Sequence, residues 1–152
     1  MSMSTKDRTE ELRRNLQAKL ERLLELQNVA SVYQQVIEAN TILLSEVIRT
    51  RQAIKDLMKF QNQQLSGLVS LGPGVFIEGE ISVKDRLLVD VGAGIAVPMS
   101  LEAAMEHISA KERMLRNSIE RSRQAIAQIQ NMINKLQQDI NKLREQLERK
   151  TQ

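Results

Sequence analysis

Few side chains in this sequence could do covalent or ligand chemistry. The single histidine, His107, stands in a charged stretch (AMEHISAKERM) without a neighbouring ligand set. It reads as a flank histidine rather than a base or a metal ligand. There is no cysteine, which excludes disulfides, thiolate metal sites and cysteine nucleophiles. The carboxylates alternate with lysine and arginine in the manner of solvated helix faces. The glycines remain. Gly72-Pro73-Gly74 lacks the Gly-Lys-Ser/Thr that would follow in a phosphate-binding loop. Gly92-Ala93-Gly94 lacks the third glycine of a dinucleotide fingerprint, and it leads into a strand and Pro98 rather than into a helix N-terminus. Both read as turns. No catalytic residue, cofactor site or metal site is expected, and the chain does not read as an enzyme.

The elements that hold these turns are more informative. All six glycines and both prolines of the 152 residues fall between Gly67 and Pro98. Aromatic residues make up 2% of the chain and charged residues 27%, a profile that fits extended coiled coil better than a compact globule. The net charge of +3 comes from interspersed signs, with no dense basic block, so a nucleic-acid partner is not expected. The N-terminus has no apolar signal core, and no run nears the ~18 apolar residues of a membrane helix. The expectation is a cytoplasmic protein with no membrane partner.

Residues 1–65 predict one long helix. Ser4 and Asp7 offer an N-terminal cap, and apolar residues then recur in three- and four-residue steps: Leu23, Leu26, Ala30, Tyr33, Ile37, Leu44, Val47, Ile54, Met58 and Leu65. Asn40, Arg51 and Gln61 interrupt this heptad seam. Asn40 is either a tolerated polar residue or a pin that fixes register, and Arg51 is expected to reach out to solvent. Further apolar residues lie beside the seam, among them Leu24, Val29, Val32 and Val36. Residues 100–152 predict a second helix, capped by Ser100, whose seam runs from Leu101 to Leu147 with breaks at Glu112 and Ser122.

Residues 66–99 read as two β-hairpins, from Leu68 to Ile81 and from Arg86 to Val97. Val75, Ile77 and Ile81 share one strand face, and Leu87, Val89 and Val91 another; Ile95 and Val97 lie on a last short strand ended by Pro98. Sheets this small need covering or pairing, so subunit assembly is expected through Val75, Ile77, Ile81, Leu87, Val89, Val91, Ile95 and Val97.

The predicted fold is therefore α+β: a long antiparallel helical coiled-coil hairpin with two β-hairpins inserted between the helices. Aligning Leu65 with Leu101 pairs residues whose numbers total about 166, placing Ile126 opposite Asn40 and Leu143 opposite Leu23. On that alignment Leu12, Leu16, Leu20, Leu143 and Leu147 are partly unpaired at the far end and form a candidate surface for apolar segments of other proteins.

This layout, with LVSLGPGVFIEGEI followed by LLVDVGAGIAVPMSLEAAMEH, resembles the alpha subunit of the prefoldin family, in its archaeal form. The resemblance spans nearly the whole chain, and its specific part is the insert. It implies an ATP-independent holdase built as a hexamer of two alpha and four beta subunits. It also implies a β-barrel platform formed by the hairpins, and distal coiled-coil ends that hold unfolded polypeptides and deliver them to a group II chaperonin. The alternative is a structural scaffold that self-assembles through the hairpins and binds no client.

Overall fold

The computed structural model describes residues 5–151. Ser4, proposed as a cap, lies outside them. The element order is α1 (Thr5–Met58), β1 (Gln64–Gly72), β2 (Val75–Ser82), β3 (Arg86–Asp90), β4 (Ala96–Ser100) and α2 (Leu101–Thr151). Two long helices with two antiparallel hairpins between them are thus present, as the distribution of glycine and proline dictates. The chain divides into two compact units: Met1–Asn40 with Asn117–Gln152, and Thr41–Arg116.

In the first unit, the helices run antiparallel with an apolar seam. Leu26, Ile129 and Ile133 are buried, and Leu23, Ala30, Tyr33 and Leu136 pack against them. Lys19 pairs with Asp139 at 3.0 Å, and Asn40 Nδ2 donates to Ser118 Oγ at 2.9 Å. These partners differ from the sequence expectation: α2 is displaced by about seven residues, one heptad, along α1. Asn40 faces Ser118 rather than Ile126, and Leu23 packs against the cluster of Leu26, Ile129 and Ile133, to which Leu136 rather than Leu143 also belongs as a neighbour. A heptad seam shifted by one repeat still matches apolar to apolar, so periodicity alone cannot select between the two alignments.

In the second unit, the reason for the shift is visible. Helix α1 ends at Met58, not at Leu65. Lys59 and Phe60 close tight turns onto Asp56 and Leu57, and Asn62 adopts a left-handed conformation with φ 62°. Asparagine tolerates that region better than most residues, because its short side chain can bond locally. The backbone then enters the sheet. Asn62 N–H donates to the Val83 carbonyl, Val83 N–H donates to the Gln63 carbonyl, and Leu65 stands opposite Ile81. Val83, which lies between the two predicted hairpins, is buried, as are Val47, Ile54, Leu101 and Ala104. Across the helices of this unit, Arg51 Nε lies 2.8 Å from Glu112 Oε2, in an ion pair whose N–H is not aimed for a hydrogen bond. Arg51 therefore does not simply extend to solvent: the break in one seam meets the break in the other.

The hairpins are separate two-stranded sheets. In β1–β2 the turn is Pro73-Gly74, with Gly74 at φ 76°, the arrangement a type II turn requires. A register shift between Ser70 and Gly72 leaves Leu71 outside the ladder. Leu65↔Ile81, Gly67↔Gly79 and Val69↔Ile77 share one face. In β3–β4, Leu87↔Met99 and Val89↔Val97 share one face, while Leu88↔Pro98 and Asp90↔Ala96 share the other. Pro98 does not end the last strand as expected; β4 continues through it to Ser100. The reason is geometric. Val91 N–H donates to the Ile95 carbonyl, so alternation along the ladder turns residues 87 and 89 towards β4 and residues 97 and 99 towards β3. The ring nitrogen of Pro98 then points outward, where no ladder bond is lost. Ser100 both ends β4 and caps α2, its Oγ accepting from Ala103 N–H at 3.1 Å.

Candidate functional site

Two apolar surfaces stand out, one in each unit. In the first unit the predicted tip leucines behave unequally. Leu12, Leu16, Leu143 and Leu147 are half-buried, while Leu20 is 36% exposed. The register set by Lys19–Asp139 puts Leu12 and Leu16 across from Leu147 and Leu143, so the two pairs continue the seam instead of standing unpaired. A groove beside Leu12 is rimmed by Arg8, Glu11, Gln146, Arg149 and Lys150.

The more exposed apolar surface of this unit lies on the outer flanks of α1. Val29, Val32 and Val36 are spaced i, i+3, i+7 on one flank and are 45%, 57% and 37% exposed. Leu20 and Leu24 sit one turn apart on the other flank, Leu24 being 60% exposed. Helix α2 segregates its apolar residues to a single face, whereas α1 distributes them around its axis. The sequence showed these residues beside the seam. What it lacked was the register, which decides how many of them the partner helix can cover.

In the second unit, the residues expected to mediate assembly lie in the two hairpins, and the fold does not join them into one sheet. Val75, Ile77 and Ile81 of β2 are exposed, as are Val91 and Ile95 around the second turn. Leu87, Val89 and Val97 are half-buried on the shared face of β3–β4. Sequence reasoning missed Leu68, Val69, Leu71, Phe76 and Leu88, all exposed in the same strands; Leu88, at 76%, is the most open of them. Except at Leu71, which stands between Ser70 and Gly72, their signal was the alternation itself, since two adjacent apolar strand residues must face opposite ways.

The electrostatics belong to the helices. The Glu112 carboxyl is held below its ordinary value, first by hydrogen bonds from Arg116, at 3.0 Å from Nε and 2.8 Å from Nη2, and then by the charge of Arg51. Asp56 is likewise lowered, by Lys59 and Gln52. His107 lies beside the second hairpin's turn, lining a shallow groove with Asp90, Gly92, Lys111 and Met114. Among the described residues no helix is long and apolar enough to cross a membrane.

Comparisons with known proteins agree with this geometry. The prefoldin subunit family model matches residues 26–152. Prefoldin subunit alpha of Pyrococcus horikoshii is 28% identical over 105 residues, covering 69% of this chain and 71% of the relative. The corresponding subunit of Methanobrevibacter smithii is 30% identical over 109 residues, covering 69% and 73%. Among solved structures, the filamentous prefoldin of Methanocaldococcus jannaschii superposes with a TM-score of 0.65 at 20% identity, covering 76% of this chain and 95% of that one, and shares the fold. With its helices, paired hairpins and the family match over most of its length, the chain belongs to the prefoldin family, whose members are chaperone subunits and not enzymes.

Proposed function

We propose that this chain is the alpha-type subunit of a cytoplasmic, ATP-independent holdase. It assembles through its hairpins with prefoldin beta subunits, in a hexamer of two alpha and four beta chains. It holds unfolded polypeptides on the helices of its first unit and passes them to a group II chaperonin. The observation that carries the client role is the apolar surface of α1 that the helix pair leaves open, at Leu20 and Leu24 on one flank and at Val29, Val32 and Val36 on the other. Leu12, Leu16, Leu143 and Leu147 adjoin that surface and contribute the exposed half of their side chains. Each patch is small, so each contact is weak, and several subunits acting together supply avidity while allowing release.

The test is light scattering from a denatured client diluted into buffer without nucleotide. A complex containing Leu20→Ser, Leu24→Ser, Val29→Ser, Val32→Ser and Val36→Ser is compared with the unaltered one after both are shown to assemble. Loss of suppression in the variant supports the reading. Equal suppression moves the client site elsewhere. No suppression by the unaltered complex favours the scaffold role.

A further inference from the structure

Helix α1 carries a second run of heptad spacing beside the seam that packs on α2. Val29, Val32, Val36 and Ala39 recur in steps of three, four and three residues, and all four are exposed. The spacing is that of a and d positions in a coiled coil, with a β-branched valine at both a positions. This part of the helix pair is also bare of charge. Residues 26–34 of α1 contain no charged side chain, and neither do residues 124–132 of α2, although charged residues make up 27% of the chain. The register of Lys19 with Asp139 and Asn40 with Ser118 sets the two stretches side by side as one uncharged band. Met132, 46% exposed, adds an apolar side chain from α2 within it. Glu38 is the one charge on α1 between Leu26 and Asn40. Helical rotation puts it on the far side from the valines, where its Oε1 accepts from Gln34 Nε2 at 3.2 Å.

Spacing separates a helical occupant of this flank from an extended one. Successive side chains of the valine run rise about 5 Å along the axis, because 3.5 residues of helix climb 1.5 Å each. A second helix with heptad spacing presents its own apolar side chains at the same interval. An extended chain repeats a face every ~6.7 Å, so over the three steps from Val29 to Ala39 it falls out of step by about 4–5 Å. The missing charge sets the chemistry: an ionised group laid on this band would lose water and gain no counter-ion. We propose that this flank takes an uncharged, amphipathic helical segment of a client chain, laid along α1 as a third helix. Helices of about three turns are marginal alone and are held in folded proteins by the packing of their apolar face. A client helix whose own partner has not yet formed meets here an apolar run of its own period. This rests on the reading of the α1 flank as a client surface, and it names the segment held there.

The test uses the assembled full-length protein and two fluorescent synthetic peptides of one composition, leucine, alanine, glutamine and serine. One places leucine at heptad spacing, and the other moves the leucines to alternate positions. Anisotropy titration is expected to give at least about tenfold tighter binding of the heptad peptide. Its affinity is expected to change less than about twofold between about 50 and about 500 mM salt. Val32→Glu is expected to weaken it about tenfold or more, with Val32→Ser showing part of the loss. Gln34→Lys, a charge in the same band on the far side of α1, is expected to leave it unchanged. Equal or tighter binding of the alternating peptide overturns the proposal, as does a steep fall with salt or indifference to Val32→Glu. Pairing of whole complexes that Val32→Glu abolishes makes the occupant a second copy and also overturns it. If neither peptide binds while a denatured client is still kept from aggregating, the helical assignment falls and the client reading survives. If the denatured client is not held either, both fall.

Discussion

The register of the helix pair is the property on which the functional reading most depends, because it decides whether the leucines near the chain ends are covered. A pair of cysteine variants tests it. Leu16→Cys with Leu143→Cys places thiols across from each other in the alignment fixed by Lys19–Asp139 and Asn40–Ser118. Leu23→Cys with Leu143→Cys suits the alternative alignment, one heptad away. Seven residues at 1.5 Å each separate the alternatives by about 10 Å along the axis, whereas a disulfide tolerates Cα separations only up to ~7 Å. The first pair is therefore expected to close within the chain under a mild oxidant, and the second to remain reduced. The assay is a mobility shift on a non-reducing gel, with mass spectrometry to assign the linked peptides. The energetic preference has an identifiable source: slipping by a heptad parts Asn40 from Ser118, and leaving such a half-buried polar group without its partner costs about 1–3 kcal/mol. Faster closure of the Leu23/Leu143 pair would refute the alignment, and with it the conclusion that Leu12 and Leu16 continue the seam.

Three further outcomes are expected. Ile133→Ala, in the buried cluster with Leu26 and Ile129, should lower the stability of the first unit by about 2–4 kcal/mol in denaturant titration followed by helical circular dichroism. Ala93 sits at φ 53° between Gly92 and Gly94, so Ala93→Gly should relieve about 1 kcal/mol of left-handed strain and raise the melting temperature of the assembled protein. Glu112 is held below its ordinary pKa of 4.5 by Arg116 and Arg51, so its contribution is complete above that value and is lost as pH falls through the lowered folded value. Thermal melts of Glu112→Gln should accordingly show a shallower loss of stability below pH 4.5 than those of the unaltered chain.

Much of the architecture is legible in the sequence because its signals are local. The turn at Pro73-Gly74 follows from two residues. The cap at Ser100 follows from a hydroxyl placed before an apolar period, and its Oγ does accept from Ala103 N–H. The end of α1 is obscured because Leu65 continues the helical spacing of Ile54 and Met58 by coincidence, while the backbone turns at Asn62 and becomes a strand. That one misplaced boundary carried the alignment off by a heptad. The seam breaks carry a further signal: Arg51 and Glu112 are of opposite charge, and they meet across the helices of the second unit. Proline is incompatible with a central strand, so Pro98 predicts a stop, whereas an outward position on a sheet edge accommodates it. The exposed valines of α1 were visible as residues but not as a surface, since surface is a property of the pair of helices.

Pro98 also bears on what happens before a partner arrives. A newly made subunit carries two bare hairpins rich in apolar side chains, and open strand edges of that kind invite uncontrolled growth into aggregates. Removing one donor from the middle of β4 interrupts the row of hydrogen bonds along which such growth would propagate. The second hairpin is thereby left with one uninterrupted edge instead of two, so it can cap a stack but cannot extend it efficiently in both directions. The second hairpin is in this way limited in how far it can polymerise by edge-to-edge strand pairing.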